Sequence, residues 1–300
     1  MTQSAAPTRL IATDLDGTLL GAGGTVSDRT AAALAAAERA GIQVVFVTGR
    51  PPRWMQRLAE HIGGHGVAIC SNGGAVLDVH GDRLLETFPL PVADALAVVR
   101  VLRDRLPGTA FAFEFPGGFA REPQYQVRMW GDDEAHQVAS AEKLLGCDRH
   151  LGAGDLPPQG AADPRQQPPG CAVASYKLLA QHPELDPDAF LAEARAAVGD
   201  TAEITRSSSI ALLEISARGV TKASTLARWC AEHGIDRSAV VAFGDMPNDL
   251  EMLAWAGTSY AVANAHPAVL AAVARHTVSN EEDGVARVIE ELLTRATPSP

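Results

Sequence analysis

Short apolar runs that each end in a small or polar residue constrain the fold of this chain more than any other feature. Leu10–Thr13 leads into Asp14, residues 44–47 into Thr48, and Val67–Cys70 into Ser71 and Asn72. Residues 240–243 lead into Gly244 and Asp245, and residues 260–262 run toward Asn264. Runs that are apolar at consecutive positions read as strands buried on both faces of a parallel sheet. Helical segments lie between several of them. Ser27 is placed to cap one that ends at Gly41, and Thr221 to cap another that ends at Gly234. Each glycine suits the left-handed position after a helix. Strand alternating with helix predicts an α/β fold with a doubly wound, mainly parallel Rossmann-like sheet. Crossover connections bring the carboxyl ends of such strands to one edge, where open sheets bind ligands. The polar terminators from Asp14 to Asn264 should therefore gather at one site.

The middle of the chain breaks this rhythm. Residues 81–205 read as an inserted α+β module, which leaves residues 1–80 and 206–300 as the core domain. Within the insert, helices are predicted over 91–105, 132–145 and 187–198, and strands over 110–115, 172–180 and 202–205, with a further strand over 210–215 just after it. Phe111, Phe113 and Phe115 alternate with Ala112 and Glu114, the period of a strand with one packed face. Residues 152–170, rich in Pro, Gly and Gln, read as a surface loop. Residues 115–125 mix turn formers, aromatics and the charged Arg121 and Glu122, which makes them a candidate substrate-specificity loop. Arg121 and Arg128 are candidates for a second anionic group, although lone surface arginines seldom serve that way.

A chain of 300 residues suits two domains, and 46% hydrophobic against 20% charged residues excludes wholesale disorder. With 25 basic and 36 acidic residues, a net charge of −11 makes nucleic acid a poor partner. A pocket with local cations or a metal still accommodates a small phosphorylated ligand. No apolar stretch approaches the ~20 residues that span a bilayer, and the polar start has no secretory core. Cys70, Cys147, Cys171 and Cys230 form no C-x-x-C pair, which suits reduced, buried thiols in a cytoplasmic protein without a membrane partner. No motif specifies an oligomeric state.

The first run ends in Asp14-Leu15-Asp16-Gly17-Thr18. Two carboxylates two residues apart in extended chain repel unless a cation or a shared proton relieves them. An EF-hand loop does not fit, because Gly17 directly follows the second Asp and Thr25 stands at the twelfth position. A solvated acidic turn is the plain alternative. Gly244-Asp245-Met246-Pro247-Asn248-Asp249 adds a second pair at the same sheet edge. An Asp cap followed by Pro is ordinary helix punctuation. An unpaired charge ending a buried strand is costly, however, and hard carboxylate oxygens suit Mg²⁺. Thr48-Gly49-Arg50 and Lys222 supply the hydroxyl, amides and cations that a phosphoryl group needs, though each is weak alone.

Together these motifs resemble those of the haloacid dehalogenase-like phosphohydrolase superfamily, and within it the Cof-type group with a large inserted cap. Asp14-x-Asp16-Gly17-Thr18, Thr48 with Gly49 and Arg50, Lys222, and Gly244-Asp245-x-x-Asn248-Asp249 match its motifs in order. The segments Ser71-Asn72-Gly73 and Val262-x-Asn264-Ala265 also resemble this group. The resemblance implies a Mg²⁺-dependent phosphatase acting on a small phosphorylated metabolite, such as a sugar phosphate or phosphorylated cofactor. It implies that Asp14 is the nucleophile and Asp16 the general acid and base. It further implies that Asp14, the Asp16 carbonyl, Asp245 and Asp249 form the metal site. Thr48 and Lys222 would hold the transferring oxygens, with Gly17, Gly49, Arg50 and Asn248 at the phosphate or substrate. The cap would select the substrate. Two alternatives stand beside this reading: a phosphotransferase or mutase using the same chemistry, and a non-catalytic phosphometabolite-binding protein.

Overall fold

A computed structural model describes residues 7–56, 66–115, 118–126, 137–146 and 175–296. In chain order its strands are Leu10–Thr13 (β1), Gln43–Val47 (β2), Val67–Cys70 (β3), Ala75–Asp78 (β4) and Arg83–Thr87 (β5). Then come Ala110–Phe115 (β6), Gly118–Arg121 (β7), Gln137–Val138 (β8), Lys177–Gln181 (β9), Ala202–Thr205 (β10) and Leu212–Ala217 (β11). Val240–Gly244 (β12) and Thr258–Ala261 (β13) are the last. The chain divides into two compact units, one of residues 1–86 and 221–300 and the other of residues 87–220.

The first unit carries a seven-stranded sheet in the order β13-β12-β1-β2-β3-β4-β5. The pairs β13–β12, β12–β1, β1–β2 and β2–β3 are parallel, and β4 turns back antiparallel on β3. Every residue of the central strand β1 is buried. Ile11, Val44, Phe46, Val241 and Phe243 pack with Leu34 of helix Asp28–Arg39 and with Val285 and Ile289 of helix Gly284–Ala296. Each such side chain contributes roughly 1.5–3 kcal/mol when fully buried. Helix Asp28–Arg39 starts where the sequence predicts, because the Ser27 side chain accepts the Thr30 N–H at 3.0 Å. Strand β1 leaves for β2 on one side and has β12 on the other, so the topological switch point lies between β1 and β12. Thr13 pairs with Phe243, and the Asp14 N–H donates to the Phe243 carbonyl at 3.1 Å. The first acidic motif is thereby set beside the last.

The second unit has a six-stranded sheet in the order β10-β11-β9-β6-β7-β8. Phe111, Phe113, Leu178, Leu213 and Ile215 form its main core with Val99 and Leu102 of helix Val92–Arg105 and Phe190 of helix Pro187–Val198. Phe111 and Phe113 pack this core as expected, but β6 is covered on both faces and not on one, since Ala112 and Glu114 are buried as well. Ala112, Leu179, Leu212, Phe119 and Tyr125 form a smaller cluster. A buried ion pair between Lys177 and Glu214, at 2.8 Å, joins β9 to β11.

Three expectations change. Strand β11 pairs with β9 and β10, so the insert runs past residue 205; a strand edge left by cutting there would be unpaired. The described part of 132–145 is not one helix but the short strand β8 followed by the single turn Ala141–Leu144. Residues 118–121 form strand β7 instead of an open loop. Arg121 is spent on the chain itself, its guanidinium donating to the carbonyls of Glu122 (3.1 Å) and Tyr125 (3.3 Å). The Glu122 carboxylate accepts the N–H groups of Phe111 (3.1 Å) and Ala141 (2.9 Å) and also pairs with Arg103. The loop expected at 152–170, and Arg128, Cys147 and Cys171, lie outside the described residues. Cys70 and Cys230 are both buried, and burial pushes the Cys230 thiol up to about 11.

Candidate active site

The carboxyl edge of the first sheet gathers residues from four separate stretches of chain. Asp14 leaves β1, Thr48 leaves β2, Asp245 and Asp249 follow β12, and Lys222 opens helix Lys222–Glu232. Thr221 holds that helix start by accepting the Ser224 N–H at 3.1 Å, and this fixes where Lys222 points. The Lys222 ammonium donates to Asp14 Oδ1 at 2.6 Å and to Asp249 Oδ1 at 2.7 Å, with all three side chains buried. Asp249 Oδ2 accepts the N–H groups of Asp245 (3.1 Å) and Met246 (3.0 Å). Both oxygens of Asp249 are therefore committed to holding the site in shape. Asp245 Oδ1 accepts the Thr18 hydroxyl at 2.6 Å.

Among the described residues, Asp14, Asp245 and Asp249 offer carboxylate oxygens that all lie within 4.8 Å of one another. Three buried carboxylates against one ammonium leave an excess of negative charge. Burial pushes the Asp14 carboxyl well above the usual range, and nearby Asp249 and Asp245 add to this against the pull of Lys222. Burial likewise pushes Asp245 up to about 7, with Asp249 adding to it and the Thr18 hydrogen bond opposing it. Burial works against charge on Lys222, but Asp14 and Asp249 outweigh it and hold the ammonium protonated. This donor set fits a divalent cation. Hard oxygens in excess of the local positive charge are what Mg²⁺ takes, and such an ion would remove the cost of ionising them. Gly17, at φ +82°, runs so close that a Cβ there would stand 2.5 Å from Asp245 Oδ2.

Asp16 is placed differently from Asp14. Its side chain is 59% exposed and lies outside the carboxylate group. The Arg50 guanidinium grips it with two hydrogen bonds, at 2.7 and 2.5 Å. Arg50, read from sequence as a phosphate contact, is thus engaged by Asp16. Thr48 is buried, and its hydroxyl accepts the Arg50 N–H at 3.0 Å across Gly49. Asn248 donates to Asn72 Oδ1 at 3.1 Å, which brings a residue of the last motif against the turn after β3. Asn264 donates to the Gly17 carbonyl at 2.7 Å and accepts the Asn280 N–H at 3.1 Å, bracing the first motif from behind. Thr18 and Asn72 are absent from the motif-based site set. Both lie in segments that resemble the family, Thr18 in the first motif and Asn72 in the Ser71-Asn72-Gly73 turn after β3, but the resemblance attaches no role to either.

The match to known proteins agrees with this geometry. The pattern of the haloacid dehalogenase-like hydrolases matches residues 11–134 and 172–289, most of the chain. The chain belongs to that family. It is 29% identical over 289 residues to pyridoxal phosphate phosphatase YbhA of Escherichia coli, covering 94% of this chain and 97% of that one. It is 28% identical over 306 residues to 5-amino-6-(5-phospho-D-ribitylamino)uracil phosphatase YwtE of Bacillus subtilis, covering 95% and 98%. A haloacid dehalogenase-like hydrolase from B. subtilis shares the fold, with a TM-score of 0.75 at 23% identity over 95% of this chain and 100% of that one. Among the described residues, no helix is long and apolar enough to cross a membrane.

Proposed function

We propose that this hydrolase is a Mg²⁺-dependent phosphatase of a small phosphorylated metabolite, working through an aspartyl-phosphate on Asp14. The observation that carries the reading is the buried group Asp14, Asp245 and Asp249 drawn around Lys222. The names of the relatives support it, since one acts on pyridoxal phosphate and another on a phosphorylated ribityl compound. Asp14 and Asp245, with the Asp16 backbone carbonyl, would hold the ion, and Asp249 would fix both the lysine and the turn. When bound, Mg²⁺ supplies positive charge that lets an anionic carboxylate approach a phosphate dianion.

Lys222 occupies Asp14 Oδ1, which leaves Oδ2 to attack phosphorus. A bond forms from Asp14 Oδ2 to phosphorus as the ester bond to the leaving oxygen breaks. Asp16, protonated, gives its proton to that leaving oxygen and then takes one from the water that splits the acyl phosphate. Arg50 holds both Asp16 oxygens, so its grip must loosen for Asp16 to reach the leaving oxygen. The phosphate dianion is a competing partner for Arg50, so substrate arrival would free Asp16. Thr48, the Gly49 backbone and Lys222 would steady the transferring oxygens, and Gly17 lets the first-motif backbone come close. Residues 87–220 would supply the rest of substrate choice.

Phosphate release from p-nitrophenyl phosphate tests the reading. Turnover should require Mg²⁺ and vanish with a chelator. Asp14→Asn should cost about a thousandfold or more in kcat while its thermal unfolding stays cooperative. Asp16→Asn should retain slow phosphorylation of Asp14, visible as a trapped adduct by mass spectrometry. Turnover by Asp14→Asn at the wild-type rate would remove the nucleophile assignment.

A further inference from the structure

A cavity of about 320 Å³ lies wholly within the second unit, walled by residues from four stretches of chain, 108–110, 124–126, 181–187 and 209–211. Nothing in the phosphoryl chemistry above uses these residues, and the lining holds no Asp, Glu, Lys or Arg. His182 ties three of the four stretches together. Its backbone N–H donates to the Ala211 carbonyl at 3.0 Å, and its ring Nδ1 accepts the Leu185 N–H at 3.1 Å. Nδ1 therefore carries no proton, and the Nε2–H donates to the Pro107 carbonyl at 3.0 Å. Both ring nitrogens are spent on construction, so His182 serves as wall. Ala110 and Ile210 also line the cavity, and both pack in the apolar cluster of Phe119, Tyr125, Leu179 and Leu212. The space is preformed on a packed core, as small-molecule sites usually are.

Gln181 decides what fits there. It sits on β9 between Ala110 of β6 and Leu212 of β11, and only 9% of it is exposed. Its Oε1 accepts the Gln126 N–H at 2.9 Å. That bond fixes the sense of the amide, because a turned amide would set two donors against each other. Its Nε2 has no partner among the described residues. A buried donor left unanswered is costly and rare in native proteins. The occupant must therefore bring an acceptor. Charge is excluded, since nothing in the lining would answer an ion taken from water. The volume stands at the lower end of the roughly 300–1,000 Å³ found for ligand pockets, which suits a single ring.

We propose that residues 87–220 carry a second binding site, at Gln181, for a small uncharged ring compound bearing an amide or imide carbonyl. The carbonyl oxygen accepts from Gln181 Nε2, and the ring packs against Leu185, Ile210 and the prolines at 183 and 187. This site does not rest on the aspartyl-phosphate reading.

Benzamide, benzoate and toluene test it, because they share a ring and differ in the group presented to Gln181. Binding to the isotope-labelled full chain is followed by NMR through the backbone N–H signals of Gln181, His182 and Ala211. Benzamide should shift them saturably, with a Kd of about 1 mM or tighter. Benzoate and toluene should bind at least about tenfold more weakly. Gln181→Glu keeps an oxygen for the Gln126 N–H and loses the donor. It should weaken benzamide binding by about tenfold or more while thermal unfolding stays cooperative. Gln181→Met, which removes the donor without adding charge, should do the same. Equal benzamide affinity in wild type and either folded variant, or no saturable shift in the wild type, would overturn the site and leave Gln181 Nε2 to a bound water. Benzoate binding as tightly as benzamide would overturn the uncharged class. Phosphate release from p-nitrophenyl phosphate is a separate readout, and its failure would sink the phosphatase reading while leaving this site in place.

Discussion

Lys222 touches Asp14 and Asp249 together, and at the residue scale that contact organises the site. Burying the group is costly, so the metal-free protein carries an electrostatic penalty that depends on pH. Asp245 has an ordinary value of 3.8 and is pushed up to about 7 in the folded chain, and burial moves Asp14 in the same direction. A carboxyl raised on folding stabilises while both states are protonated. It loses that stability as pH rises, because the unfolded chain ionises first. In chelator, the melting temperature should therefore fall from about pH 4 to about pH 7 and level off above. Mg²⁺ should flatten this fall, since a bound cation makes ionisation favourable in the folded state. Parallel pH curves with and without Mg²⁺, measured by calorimetry, would contradict the carboxylates as ligands.

Individual elements matter mainly for where they end. Helix Lys222–Glu232 delivers its first residue to the site, and the turn at Gly73 fixes how closely that end approaches β3. Gly73 stands at φ +106°, and a Cβ there would lie 2.4 Å from the Thr221 carbonyl oxygen. Gly73→Ala should push back the helix start and draw Lys222 from Asp14. The expected result is a loss of about tenfold or more in kcat alongside destabilisation of about 1–3 kcal/mol. Gly41→Ala serves as the comparison. That glycine also has positive φ, but a Cβ there meets nothing within 4 Å, so only stability should suffer. Comparable kcat losses in both variants would show that backbone strain, rather than the position of Lys222, governs activity. At this scale the sequence is deceptive in places. Arg121 and Glu122 look like ligand contacts in a loop, yet Arg121 closes on the carbonyls just after β7 and Glu122 ties that segment to β6 and to Ala141.

On the scale of the whole molecule, each unit owns a sheet and a buried core. Residues 87–220 enclose Phe111, Phe113, Phe190, Leu213 and Ile215 within one cluster. A protein of that segment alone should unfold cooperatively on heating, as domains with their own core do. A fragment ending at residue 205 should not, because β11, its place taken from the middle of the sheet, would be missing. Circular dichroism melts of the two fragments check this, and cooperative melting of the shorter one would refute it.

The acidic motifs, their strand-end positions and the alternation of strand with helix are legible in the sequence, because they depend on local periodicity and on residue types set a few positions apart. Asp14, Asp245 and Lys222 can be picked out that way. Their burial, the Lys222 bridge and the raised carboxyls cannot, since these arise only when stretches some 200 residues apart are packed at one sheet edge. The pairing of Arg50 with Asp16 and of Asn72 with Asn248 belongs to the same class. A side chain's partner is decided by which strand ends lie next to one another, and strand order is a property of the folded sheet.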